Sequence, residues 1–254
     1  VKIAISSWSL RSHVNKDFSL PELPRVVKQR YGISAVELCQ MHFLRQDSSY
    51  LDEVYRSLKE NNSVVVNMPV DTGNISQPDP TKRNHDIEII KGWMRVAKCI
   101  GCPAVRVNTG GQLPGSTDFS ITIDSYRTLV GFGRTLGVKV LLENHGGISA
   151  NPENILRIFS GVNDDYFAFC PDFGNFTPEV RYQGLERMAP HAFIVHAKTY
   201  DFDEKGELPT FDFGRCLKII RQTGFDGYLS VEFEGEGDQY QGVQKTIDLI
   251  KRTG

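Results

Sequence analysis

A single closed (β/α)8 barrel, the TIM-barrel architecture, is the fold class this sequence predicts, and three observations predict it. Short apolar runs, eight in all, alternate with amphipathic stretches along the chain, as successive strand–helix units do. The 254 residues match the roughly 250 typical of one such barrel. Four of the runs end on a side chain able to bind a hard metal ion, each at the equivalent position of its unit. No linker, low-complexity stretch or shift of composition marks a boundary, so one domain over residues 1–254 is expected.

The strands are expected at 2–6, 35–38, 63–67, 104–108, 139–143, 166–171, 193–196 and 228–232. Each is a brief run rich in Val, Ile, Phe or Leu, the composition of a parallel strand buried on both faces. Helical spacing fills the gaps. Leu51, Val54 and Leu58 share one face, as do Ile87, Ile90, Met94 and Ala97. Ile155, Ile158 and Phe159 repeat the pattern, followed by Val243, Ile247 and Ile250. Gly32, Gly101, Gly137 and Gly224 precede strands, where a helix C-cap glycine belongs. Asn151-Pro152-Glu153 and Thr177-Pro178-Glu179 put proline behind a capping residue, which predicts a helix starting at each. The connections that follow strands are the longer ones, at 39–48, 68–80, 109–117 and 199–209. In a barrel they form the catalytic mouth.

Composition narrows the function classes. Hydrophobic content of 40% and charged content of 24% are those of an ordinary globular chain. A net charge of −2 gives no reason to expect nucleic acid or an anionic membrane as partner. No apolar run approaches the roughly 20 residues that span a bilayer. The first strand begins almost at residue 1, so no signal peptide is expected. The five cysteines are scattered, and the lone Cys99/Cys102 pair has no second pair to complete a zinc or disulfide framework. A reducing cytoplasm is the expected compartment, with a homo-oligomer left open.

The metal-binding ends are Glu143 after Val138-Lys139-Val140-Leu141-Leu142, Asp172 after Phe167-Ala168-Phe169-Cys170-Pro171, His196 after Phe193-Ile194-Val195, and Glu232 after Tyr228-Leu229-Ser230-Val231. In a closed barrel these four positions converge on one mouth. Three carboxylates and one imidazole suit Mn2+ first, with Mg2+, Co2+ or Zn2+ as alternatives, and do not suit a soft metal. Four protein ligands leave two positions of an octahedral ion for adjacent oxygens of a substrate such as a hydroxy-ketone. Its carbonyl would be polarised and the neighbouring C–H acidified, for a carboxylate to move the proton.

The segments Leu142-Glu143-Asn144-His145-Gly146-Gly147, Pro171-Asp172-Phe173-Gly174-Asn175, His196-Ala197-Lys198 and Val231-Glu232-Phe233-Glu234-Gly235 resemble the sugar isomerase/epimerase group of the xylose-isomerase-like TIM barrels. The resemblance covers essentially the full chain and is strongest from residue 138. It implies one divalent ion on Glu143, Asp172, His196 and Glu232, and proton transfer on a ketose, keto-sugar or polyol through an enediolate-like intermediate. Glu143 and Glu232 would be the proton-moving ligands. The same group includes inosose and 3-dehydroshikimate dehydratases, so a metal-dependent lyase is the alternative, and a non-catalytic sugar-binding barrel a third. Its DNA-repair endonuclease branch carries further histidines after the third and fourth strands. Here those ends read Asn67 and Asn108, and Asn175 stands where that branch has another histidine.

Further residues complete the expected site. His145, two beyond Glu143, resembles an element that sits beside substrate in relatives, as a general acid/base or a hydroxyl ligand. Lys198 shares a strand face with His196 and is expected to stabilise an enolate or protonate a leaving hydroxyl. Glu37, at the end of the second strand, would bind sugar hydroxyls or orient a metal ligand. Trp8, His42, Phe43, Asn108 and Arg106 are candidates for the pocket wall, with Arg106 also suited to an ion pair inside the barrel.

Overall fold

The computed structural model describes residues 2–111 and 118–253. Its strands are β1 (Lys2–Ser6), β2 (Ala35–Glu37), β3 (Val64–Val65), β4 (Met68–Val70), β5 (Ala104–Val107), β6 (Lys139–Glu143), β7 (Phe167–Cys170), β8 (Ile194–Thr199) and β9 (Tyr228–Phe233). The helices between them are α1 (Leu23–Tyr31), α2 (Ser48–Glu60), α3 (Pro80–Cys99), α4 (Ser120–Leu136), α5 (Pro152–Val162), α6 (Arg181–Met188), α7 (Phe213–Gln222) and α8 (Gln239–Arg252). Every strand pair is parallel, in the orders β3-β2-β1-β9-β8 and β4-β5-β6-β7. Two junctions close the ring. β3 and β4 are successive pieces of one strand position, and bridges Phe169 to Ala192 and Asp172 to His196 join the β7 side to β8.

Alternation along the strands sorts the side chains into two cores. Val36, Val65, Val105, Val140, Leu142, Phe167 and Val195 point outward and pack under the helices. Ala4, Ala35, Val66, Ala104, Leu141, Cys170 and Ile194 form a separate interior cluster. Two residues further along most strands the interior turns polar. Ala4 is followed by Ser6, Ala35 by Glu37, Ala104 by Arg106, Leu141 by Glu143, Cys170 by Asp172 and Ile194 by His196, all buried. An apolar plug thus lies beneath a polar layer, and the charged layer faces the ends of the strands.

The third strand position breaks the alternation. Val65 faces the helices, and so do Met68 and Val70, so the phase slips by one residue between them, as at a β-bulge. The slip brings Asn67 inward to Glu37 and continues the strand past its expected end at 67, placing Asp71 at the mouth. Asn67 is therefore not the strand end. A second correction concerns Thr177-Pro178-Glu179, which forms a turn in which the Val180 and Arg181 N–H groups donate to the Thr177 carbonyl, at 3.2 and 3.0 Å, and α6 begins at Arg181. Of the expected loop 109–117, residues 112–117 lie outside the described part. Gly32 and Gly137 do cap α1 and α4 in the left-handed conformation, with φ of 68° and 70°. Among the described residues no helix is long and apolar enough to cross a membrane.

Candidate metal centre

Glu143, Asp172, His196 and Glu232 meet at the strand ends, with one ligand atom of each within 4.8 Å of all the others. Glu143 closes β6, Glu232 stands one residue before the end of β9, and His196 lies inside β8, which runs on to Thr199 rather than ending at 196 as expected. The bridge to His196 fixes Asp172. His196 Nδ1 lies 2.8 Å from Glu143 Oε1, 3.3 Å from Glu232 Oε2 and 3.8 Å from Asp172 Oδ2. The other ring nitrogen, Nε2, is 3.0 Å from Glu37 Oε2, which also accepts from Asn67 Nδ2 at 2.9 Å. Both ring nitrogens thus face carboxylate oxygens. With a proton kept on Nε2 for Glu37, Nδ1 is the nitrogen that would turn its lone pair to a cation among the three carboxylates.

Asp172 is held from behind. Its backbone N–H donates to Asn144 Oδ1 at 2.8 Å, its carbonyl accepts from Asn144 Nδ2 at 3.0 Å, and its Oδ1 accepts from the N–H groups of Gly174 and Asn175 at 2.7 and 2.9 Å. Lys198 Nζ lies 3.3 Å from Asp172 Oδ2, 3.6 Å from Glu232 Oε2 and 3.2 Å from Glu234 Oε2, and donates to Asn175 Oδ1 at 2.9 Å. Arg106 Nε pairs with Glu143 Oε2 at 2.8 Å, and its Nη1 pairs with Asp71.

The donor set suits a divalent cation. Among the described residues, Asp172 Oδ2 and Glu232 Oε2 are buried and accept no hydrogen bond, whereas Glu143 Oε2 is met by the Arg106 guanidinium. Leaving buried acceptors so is costly unless something else satisfies them. Among the described residues, six carboxylates (Glu37, Asp71, Glu143, Asp172, Glu232 and Glu234) face only Arg106 and Lys198 as permanent cations. Burial alone would raise the Glu143 pKa, but the Arg106 guanidinium and then the His196 ring hold it well below the usual carboxylate range. For Asp172, burial joined by the charges of Glu232 and Glu143 outweighs Lys198, and its pKa rises. Burial pulls His196 downward, yet Cys170 and the carboxylates of Glu37 and Glu143 push it above the ordinary imidazole value. A cation at this point would take over the role of those protons.

A cavity of about 300 Å³ opens at this mouth. Trp8, Cys39 and Met41 supply its apolar wall, and Asp71, Arg106, Asn108, His145, Glu232 and Glu234 its polar lining. The family model for xylose isomerase-like TIM barrels matches residues 27–253. The chain belongs to that family.

Two curated relatives of this xylose isomerase-like barrel align over 63 residues, a quarter of the chain. One is the C-glycoside deglycosidase alpha subunit of Arthrobacter globiformis, at 43% identity. The other is the 3'-dehydrocarminate deglycosidase alpha subunit of a Microbacterium species, at 36%. The alignments span 18% and 17% of those proteins, less than a fifth of their length. Among solved structures, the IolI protein with a zinc atom superposes with a TM-score of 0.79 at 18% identity, covering 100% of this chain and 99% of that one. The 3-keto-D-glucoside 4-epimerase YcjR from E. coli gives 0.77 at 17% identity, covering 99% of each chain. At such identities these two likenesses concern the fold.

The remaining candidates divide by position. His145, Arg106, Asn108 and Trp8 reach the cavity, where Asn108 Nδ2 donates to Asp71 Oδ1 at 2.8 Å and Trp8 Nε1 to Glu234 Oε1 at 2.8 Å. Glu37 and Lys198 stand behind the ligands. His42 does not line the cavity: its Nδ1 is 2.9 Å from Ser7 Oγ, and burial pushes its pKa down to about 4. Phe43 is turned edge-on to Tyr50 and Trp93, away from the site. Asp71 and Met41 were not legible as cavity residues. Asp71 is hidden by the phase slip of its strand, and Met41 lies in a loop where no periodicity operates.

Proposed function

We propose that this xylose isomerase-like barrel, acting as one domain, is a divalent-metal-dependent isomerase or epimerase of a small sugar or keto-sugar. The observation that carries the reading is the meeting of Glu143, Asp172, His196 and Glu232 within 4.8 Å at a mouth with a small-molecule cavity. Mn2+ is the ion proposed, with Mg2+, Co2+ and Zn2+ sharing its ligand preferences. When bound it would polarise the substrate carbonyl and acidify the adjoining C–H. Glu232, which lines the cavity, takes the proton, and the C–H electron pair passes into an enediolate. Glu143 rests as an anion, so the proton returned to the other face of the carbon, or at the neighbouring carbon, is one it first takes up from solvent. Glu232 releases its own to solvent to reset the site. Lys198 steadies Glu232 and Asp172, and Glu37 keeps His196 in its tautomer. Trp8, Asn108, Arg106 and His145 hold the hydroxyls.

Similarity to the two deglycosidase subunits favours a second reading, elimination from a keto-glycoside. The same proton is removed, but the electron pair expels the substituent on the β-carbon and leaves a conjugated carbonyl product. His145 and Lys198 would then supply the proton to the leaving oxygen or carbon.

A manganese-supplemented screen of ketoses, inososes and 3-keto-glycosides in deuterated water, read by mass spectrometry, tests both. Deuterium gained at carbon without loss of a fragment is expected. An ultraviolet-absorbing product with loss of water or aglycone would replace the first reading with the second, and binding without exchange would overturn both. His145→Ala sharpens the choice. An epimerase should show a raised KM with kcat little changed, whereas a lyase should lose about 10²–10⁴-fold in kcat.

A further inference from the structure

The two oxygens of the Glu143 carboxylate have different partners. Oε1 faces His196 Nδ1 at 2.8 Å and Asn175 Nδ2 at 3.4 Å, while Oε2 faces Arg106 Nε at 2.8 Å. Both the Arg106 and Glu143 side chains are almost wholly buried, at 4% and 1% exposure, so neither has room to turn away. Asp71 fixes the far end of the guanidinium by pairing with Nη1, and is itself held by Asn108. Asp172 shows the same division: Oδ1 is taken by the N–H groups of Gly174 and Asn175, and Oδ2 is the oxygen turned toward Lys198 and His196.

We propose that Arg106, anchored by Asp71, is a positioning residue that makes Glu143 a one-oxygen ligand and so lets the centre discriminate against Ca2+. The inference rests on the metal reading of the site. With Glu143 Oε2 paired to a guanidinium and Asp172 Oδ1 held by backbone N–H groups, two of the three carboxylates offer a single donor each, beside one nitrogen. Ca2+ favours six to eight oxygen ligands with carboxylates often bidentate, whereas Mn2+ and Zn2+ accept fewer donors and an imidazole. Asp71 matters because it keeps the guanidinium where it covers Oε2.

The test uses the full chain stripped of metal, with Mn2+ alone and Ca2+ alone titrated by calorimetry. The parent should bind one Mn2+ and take Ca2+ at least about 100-fold more weakly. Arg106→Met frees Glu143 Oε2, and the Mn2+/Ca2+ preference should fall by about 10–100-fold, the usual reach of an outer partner of a metal ligand. Asp71→Ala should move it in the same direction by less. A merely structural role would weaken both ions together and leave their ratio alone. Arg106→Gln, checked for folding by circular dichroism, serves if Arg106→Met does not fold. An unchanged ratio in a folded Arg106 variant overturns the lock, and an unchanged ratio in Asp71→Ala overturns the anchor. A parent that binds neither ion overturns the metal reading itself, and the lock with it.

Discussion

The barrel has two mouths, and the larger opening is not the one with the chemistry. At the end where strands begin lies a cavity of about 530 Å³, walled by Val64, Val66, Pro103, Ile194, Phe225 and Tyr228. At the end where strands finish the cavity is about 300 Å³, yet Arg106, Glu232 and His145 reach it and Glu143, Asp172 and His196 lie buried beside Glu232. The first opening is lined mostly by groups with nothing to offer a polar ligand. The second concentrates charges that are expensive to bury and leaves carboxylate oxygens without hydrogen bonds. Volume measures where side chains fail to meet. Function follows from which atoms are left facing one another.

The largest effect is expected from removing a ligand at the charged end. Glu143→Ala or Asp172→Ala should abolish stoichiometric Mn2+ binding, read by elemental analysis of the purified variants. Turnover in the deuterium-exchange screen should disappear with it. A variant that retains one ion per chain would show that these residues do not hold the metal.

An intermediate effect belongs to the plug between the two mouths. Leu141 is fully buried, on the same face of β6 as Glu143 and one step closer to the bottom. Leu141→Ala should cost about 2–5 kcal/mol in stability through lost transfer energy and a residual cavity. For a chain of this size that lowers Tm by roughly 2–4 °C per kcal/mol. Mn2+ stoichiometry at room temperature should stay at one. If ion binding collapsed while the variant remained folded, plug and centre could not be treated as separate layers.

The smallest effect is a pH dependence just outside the centre. Burial lowers the His42 pKa from the ordinary 6.5 to about 4, so the folded protein holds the ring neutral. The unfolded chain then binds a proton that the folded one does not. The contribution is whole above pH 6.5 and is lost as pH falls toward 4. At about 1.4 kcal/mol for each pKa unit, it reaches at most a few kcal/mol. Denaturant melts of the parent at pH 7 and pH 4.5 should differ by more than those of His42→Gln. Equal differences would mean that His42 is not the group responsible.

Legibility from sequence tracked physical regularity. Glu143, Asp172, His196 and Glu232 stood out because each closes an apolar run, and a period of two fixes the direction of the side chain that ends it. The barrel itself followed from eight repeats of the same strand–helix pattern. The contacts made by Glu234 were harder to see. It lies beyond the apolar part of its strand, and its bonds to Trp8 and Lys198 come from distant elements. The same holds for Arg106, whose place inside a strand could be read but whose choice of Glu143 and Asp71 as partners could not. Pro178 misled because a proline behind a threonine suits a tight turn as well as a helix start.

The slip between Val65 and Met68 has a consequence for anyone aligning this chain with another barrel. It acts like a frameshift in side-chain direction: below it one set of alternate positions faces the barrel axis, and above it the complementary set does. A comparison that counts every second residue from Val66 would pair Met68 and Val70 with polar mouth residues elsewhere and would overlook Asp71. Superposing the third strand in two separate pieces, the lower on β2 and the upper on β5, restores the correct frame, because those are the neighbours each piece is bonded to.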